Sequence, residues 1–202
     1  MCNHLFVFCI FPMEHHRTMT DEELVKGCID KKPIAQKYLY ERFSRKMYGV
    51  CLRYTDDKDE AEDILQNGFI KVFENIETFK ASGSLEGWIR RIMVNTALNH
   101  YRQNKASRLK VNLDSVDYML EGNDHVGGSL DTKELLRVIQ TLPAGFRAVF
   151  NMFAIEGYSH KEIAEILNIS EGTSKSQYSR ARAYLQKLLT SEKKTEIENT
   201  FI

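Results

Sequence analysis

Residues 158–189 read YSHKEIAEILNISEGTSKSQYSRARAYLQKLL, and this stretch decides the fold. Ser159 is placed to cap a short helix, with Glu162 three residues on to bond back to the cap's own N–H. Ile163, Ala164 and Leu167 then recur at helical spacing before Asn168 and Ile169 break the pattern. Ser170 caps a second helix, on which Ser174, Tyr178, Ala181, Leu185 and Leu188 form one inward stripe. Lys175, Ser176, Gln177, Ser179, Arg180 and Arg182 lie mostly off that stripe and face outward. Arginine forks with short amides and hydroxyls suit base edges and phosphates in a DNA major groove. A basic helix alone is most often only a solvated face. Here the capped helix and tight turn before it make a helix-turn-helix.

Outward from this motif, the composition fits an all-α protein. The 202 residues include only three prolines and no run of alternating Val, Ile and Thr that would read as strands. Lys plus Arg and Asp plus Glu number 28 each, so the formal net charge is zero. The charge is segregated, however. Arg90, Arg91, Arg102, Lys105, Arg108 and Lys110 face only Glu86 between 86 and 110, whereas Asp114, Asp117, Glu121, Asp124, Asp131 and Glu134 face only Lys133 between 111 and 136. A chain with so weak an overall field binds DNA poorly by itself, because non-specific affinity comes from neutralised phosphates. Something else is expected to bring it there.

The first half reads as four helices. Thr20 and Glu23 form a capping box for the opening one, and Pro33 starts the second. Asp56, Asp57, Asp59 and Glu60 crowd the positive end of the third. The fourth runs from about 84 to 103. Between about 104 and 129 periodicity fades among Gly122, Gly127 and Gly128. The expectation is two small helical domains joined by a flexible linker, the second ending in the helix-turn-helix. The boundaries are a disordered extension over 1–18, a first domain 19–104, a linker 105–129, a second domain 130–190 and a disordered tail 191–202.

Two surfaces of the first domain bear on function. Arg91, Asn95, Asn99 and Arg102 share one polar ridge of the fourth helix. Trp88 and the loop residues Phe79, Lys80, Ser82 and Ser84 lie beside it; such rings next to cations can stack an unpaired base, or they can be core. Asp63, Gln66 and Asn67, with Glu62, lie just outside the third helix's apolar stripe. They fit a protein-docking patch or a solvated helix start.

Cys2, Cys9, Cys28 and Cys51 show no paired spacing and no histidine at ligand distance. Neither a metal site nor a disulfide scaffold is expected, and Cys28 and Cys51 read as buried thiols of a reducing cytoplasm. The apolar run 5–11 is far too short to span a membrane. No nucleophile–base pair or phosphate-cradling glycine loop is present, so neither an enzyme nor a cofactor is expected.

With both halves in view, the chain resembles the sigma factors of bacterial RNA polymerase, in their small extracytoplasmic-function group. DEAEDILQNGFIKVFENIETF (59–79) is similar to the family's second-region helix, GWIRRIMVNTALNHYR (87–102) to its promoter-melting helix, and 142–185 to its fourth region. The resemblance implies that Asp63, Gln66 and Asn67 grip core RNA polymerase. It implies that Phe79, Lys80, Ser82, Ser84, Trp88, Arg91, Asn95, Asn99 and Arg102 read and open the −10 element. Lys175, Ser176, Gln177, Ser179, Arg180 and Arg182 would read the −35 element. Promoter DNA and core polymerase are thus the implied partners, with an inhibitory anti-sigma factor as a further one. Ser174 departs from the family by standing where many members carry Val, which removes an apolar contact. The competing reading is a helix-turn-helix regulator whose first domain senses a ligand or dimerises.

Overall fold

The computed structural model describes residues 19–108 and 132–200. The expected extension 1–18 and the linker portion 109–129 lie outside them. Eight α-helices in two groups make up the fold, with no strand among the described residues. The first domain comprises α1 (Asp21–Ile29), α2 (Pro33–Cys51), α3 (Lys58–Asn75) and α4 (Leu85–Arg108). The second comprises α5 (Thr132–Gln140), α6 (Ala144–Phe150), α7 (His160–Leu167) and α8 (Glu171–Thr200).

Local signals set these boundaries. Thr20 and Glu23 form a capping box at α1, and Ser159 and Glu162 form another at α7. Asp57 caps α3, its side chain accepting from the N–H groups of Asp59 and Glu60 at 2.8 and 3.3 Å. Such caps satisfy N–H groups that the first helical turn leaves without a partner. Ser84 serves α4, its hydroxyl accepting from the Gly87 N–H at 3.1 Å.

Two helices run further than the sequence suggests. Residues 105–108, read as linker, are the last turn of α4, and residues 191–200, read as a disordered tail, continue α8. The cause is the same in both. KASR and SEKKTEIENT contain no proline or glycine, and their Lys, Ala, Arg and Glu residues propagate a helix already nucleated upstream.

Buried faces of α1 to α4 form the first core. Leu24, Leu39, Met47, Ile64, Val72, Ile89 and Met93 lie at its centre, and Cys28 and Cys51 are buried within it. Burial pushes the Cys51 thiol up to about 12, leaving it protonated and unreactive at neutral pH. This core does not stop at the domain boundary. Ala148, Val149, Met152, Ile163 and Leu167 of the second domain belong to the same contiguous cluster. A separate small cluster of Val138, Leu142, Ala181 and Leu185 clips α5 to α8.

Candidate nucleic-acid interface

The helix-turn-helix forms as its sequence dictates. Asn168 ends α7 in the left-handed conformation, with φ 52° and ψ 55°. Asn tolerates this because its short polar side chain suits that region. Ser170 then accepts from the Thr173 N–H at 3.0 Å to start α8. Lys175, Ser176, Ser179, Arg180 and Arg182 are exposed along α8. The set is not uniform, however. Lys175 is paired with Glu171 at 2.7 Å, and that hydrogen bond holds the Glu171 carboxyl below its usual range. The Ser176 hydroxyl donates back to the Thr173 carbonyl at 3.0 Å. Gln177 is half-buried. Arg180 and Arg182 are exposed on α8 with no such pairing among the described residues.

Ser174 is fully buried, and its loss of an apolar contact is made good in another way. Its hydroxyl lies 3.0 Å from Nδ1 of His160, at the start of α7. The His160 ring stacks on Phe153, with centroids 4.2 Å apart and planes 10° apart, and Tyr178 packs against Phe153 at 4.5 Å. A directional bond inside an aromatic layer fixes the roll of α8 on α7 more tightly than a methyl contact would. No spacing pattern points to His160, which is fourteen residues from its partner.

On the first domain, Lys80, Ser82 and Ser84 are exposed on the loop after a 3-10 turn at Ile76–Thr78. Ala81 turns that loop with φ 53°, a conformation that costs a residue bearing a Cβ about 1–2 kcal/mol. Phe79 and Trp88 are half-buried and face one another with centroids 5.7 Å apart. The pair packs against the core and remains partly exposed. Arg91 and Asn95 stand exposed on α4. Asn99 accepts from Arg102, whose other guanidinium nitrogen donates to the Ile166 carbonyl of α7 at 3.2 Å.

Asp63, Gln66 and Asn67 are all exposed and share one face of α3. The next position on that face is Ile70, 53 % exposed, which the sequence reading missed. Its spacing of seven from Asp63 was the available signal. Behind this face Gly68 lies against Met93, and Lys71 donates to the Thr96 hydroxyl at 3.2 Å, tying α3 to α4.

The structure thus separates the α3 face from the α4 ridge by one helix-helix seam. It also brings the ridge up against the second domain, which no sequence pattern indicated.

Comparison with known proteins bears on both halves. The family model described as Sigma-70 region 2 matches residues 39–107, and that described as Sigma-70, region 4 matches residues 132–185. The chain belongs to the sigma-70 family. Among curated relatives, the RNA polymerase sigma-H factor of Pseudomonas aeruginosa is 29% identical over 182 residues, covering 84% of this chain and 93% of its own. The ECF RNA polymerase sigma-E factor of Haemophilus influenzae is 28% identical over 179 residues, covering 83% and 94%. Among solved structures, the sigma factor RpoE in complex with the anti-sigma factor NepR, from Bartonella quintana, is similar at 26% identity. It covers 76% of this chain and 96% of its own, with a TM-score of 0.47. Curated relatives named ECF RNA polymerase sigma factors, from Haemophilus influenzae and Mycobacterium tuberculosis among others, place this sigma factor in the extracytoplasmic-function group.

Among the described residues, no cluster of three or more His, Cys, Asp or Glu could hold a metal ion. No described helix is long and apolar enough to cross a membrane.

Proposed function

We propose that this chain is an alternative sigma factor that binds core RNA polymerase and directs initiation at promoters carrying matched −10 and −35 elements. It contributes binding and strand separation, not chemistry, and acts in the cytoplasm. The observation that carries the reading is one chain holding two different nucleic-acid surfaces. One is a helix-turn-helix with exposed arginines. The other is an α4 ridge beside a half-buried aromatic pair.

In this reading Arg180 and Arg182, with Lys175, Ser176, Gln177 and Ser179, read the −35 element in a major groove. Major-groove edges distinguish all four base pairs. The ridge Arg91, Asn95, Asn99 and Arg102 holds −10 backbone, and Phe79 and Trp88, with Lys80, Ser82 and Ser84, receive bases taken out of the stack. Asp63, Gln66 and Asn67 dock on core polymerase, with Ile70 adding apolar area one turn further along that face. Core binding also explains the zero net charge: the polymerase supplies the attraction for DNA that this chain lacks. An anti-sigma factor is a natural further partner.

Run-off transcription with purified core polymerase and a promoter library tests the assignment. The full chain should yield discrete starts that core alone does not. Arg180→Ala should lower promoter engagement by about 1–3 kcal/mol. Gln66→Ala should weaken holoenzyme formation while leaving helical content intact. Starts that are no more selective with the chain than without it would refute the reading.

A further inference from the structure

Of the seven residues that begin α8, EGTSKSQ (171–177), Ser174 alone is fully buried, and none is a large apolar side chain. Further along, α8 is seated by Tyr178 against Phe150 and Phe153, and by Ala181 and Leu185 in the small second cluster. Its first two turns have no apolar anchor of their own. Yet recognition helices meet base edges with their N-terminal residues. The part of α8 that needs the most exact placement is thus the part that hydrophobic packing holds least.

What seats it is the bond between Ser174 Oγ and His160 Nδ1, 3.0 Å long. Either tautomer of the ring can make this bond, because a hydroxyl both donates and accepts. His160 is itself held firmly. It is the first residue of α7, directly after the capping box in which the Ser159 N–H donates to Glu162 at 2.8 Å and the Ser159 hydroxyl accepts from the Glu162 N–H at 3.3 Å. Its ring lies flat on Phe153, which belongs to the π-helical turn Asn151–Ile155. Such turns recur at functional sites. Without a partner, the buried Ser174 hydroxyl would carry a desolvation penalty. Rolling α8 toward solvent, or bonding back to the Ser170 carbonyl one turn earlier, would relieve it.

A small roll is enough to matter. About 10° carries a side-chain tip about 6 Å from the helix axis through about 1 Å. Good N–H···O distances span a range of only about 0.5 Å. A base contact can therefore be lost while every helix stays folded.

We propose that His160 is a positioning residue for −35 recognition: by holding Ser174 it sets the roll of α8, and with it the aim of Ser176, Ser179 and Arg180 at base edges. His160 touches no base in this role, which rests on α8 being the −35 reader. Ser174, where many relatives carry Val, is then one half of a pair whose other half is His160.

The test uses holoenzymes assembled from core polymerase and full-length variants. Its readout is the ratio of run-off transcript from a promoter recovered from the library to transcript from the same promoter with its −35 element scrambled. His160→Phe keeps a ring on Phe153 and removes the nitrogen. Its ratio should fall about fivefold or more, the low end for one bidentate base contact, with holoenzyme formation and the circular dichroism melt unchanged. His160→Asn loses the stack but puts an amide where Nδ1 stood, so its ratio should stay within about twofold of the parent's. A residue that merely packed would give the reverse order, because Phe keeps the stack that Asn loses. Ser174→Ala removes the hydroxyl from the other side and should lower the ratio as His160→Phe does, which decides the matter should the Phe variant fold poorly. A parental ratio in His160→Phe or in Ser174→Ala overturns the inference, as does a loss in His160→Asn equal to that in His160→Phe. If the parent chain itself does not discriminate between the two promoters, the −35 assignment has failed, which is a different result from a discriminating parent matched by its variants.

Discussion

Gly68→Ala probes the seam that sets the α3 docking face against the α4 ridge. Two effects of opposite sign compete. Alanine is the better helix former, worth about 1 kcal/mol over glycine in a helix interior. Against this, a Cβ at position 68 would lie 2.2 Å from Sδ and 2.9 Å from Cε of Met93. Non-bonded heavy atoms settle near 3.5–4.0 Å, so the sulfur must retreat by about 1.5 Å or the helices must part. Met93 is 0 % exposed and Gly68 is buried, so the thioether has little room despite its flexibility. Overpacking of this kind costs about 1–3 kcal/mol. Net destabilisation of up to about 2 kcal/mol is expected, a fall in Tm of up to about 8 °C.

A double-mutant cycle isolates the cause. Met93→Ala alone should cost about 2–5 kcal/mol by leaving a cavity. In that background Gly68→Ala should become neutral or stabilising, because its Cβ enters vacated space. The coupling energy should be at least about 1 kcal/mol. Urea unfolding followed by circular dichroism measures all four corners. A Gly68→Ala chain more stable than its parent would refute the packing argument and leave helix propensity as the only operative term.

Two other expectations concern single groups. The Glu162 carboxyl is held below its usual range, first by the Ser159 backbone N–H and then by the Ser159 hydroxyl, with Arg91 adding to both. A depressed folded value contributes stability that is full above the unfolded glutamate pKa and fades as pH falls through the folded one. Glu162→Gln should therefore lower Tm at neutral pH, and melts repeated into acid should show its deficit shrinking as pH falls below about 4; a deficit constant with pH would deny the carboxylate that role. The Tyr54 hydroxyl is buried without a hydrogen-bond partner among the described residues, and burial holds its pKa well up. Tyr54→Phe should be neutral or stabilising by up to about 1 kcal/mol in chemical unfolding, and a loss larger than that would show that the hydroxyl has a partner.

What the sequence made legible was local. Thr20 with Glu23 and Ser159 with Glu162 are contacts over three residues, so spacing alone exposes them. The outward set on α8 was legible for the same reason: a helix maps a pattern onto a face. Finer distinctions within that set were not. That Lys175 is paired and Gln177 is turned toward Gly145 depends on neighbours that periodicity does not rank. The contact with the first domain was invisible, since Arg53 and Glu156 are 103 positions apart. The π-helical turn at Asn151–Ile155 that carries Glu156 also reads as ordinary helix. An Arg in an amphipathic helix gives no sign of whether it meets solvent, phosphate or a distant carboxylate.

The chemistry of that distant contact is of two kinds. Part of it is apolar, with Val149, Met152 and Ile163 in the shared core. The rest is charged, with Glu156 accepting from Arg53 at 2.8 Å and from Arg90 at 2.9 Å. It is also incompletely satisfied: Arg53 Nε, Arg147 Nε and Asn151 Oδ1 are buried with no hydrogen-bond partner among the described residues. A buried ion network returns little net stability, because desolvation offsets much of the Coulomb gain. A partly satisfied one returns less. On separation Arg53, Arg90 and Glu156 all regain water, which offsets the cost of exposing the apolar part. The ionic cluster thus fixes how the domains meet without holding them strongly. Replacing Glu156 by a similar-sized apolar residue separates the two contributions. Glu156→Leu strands Arg53 and Arg90 without a counter-ion, so it should loosen the contact between the domains more than Glu156→Gln does. If Leu instead drew the domains closer in spin-label distances, apolar burial would be the dominant force, and the charges would merely decorate it.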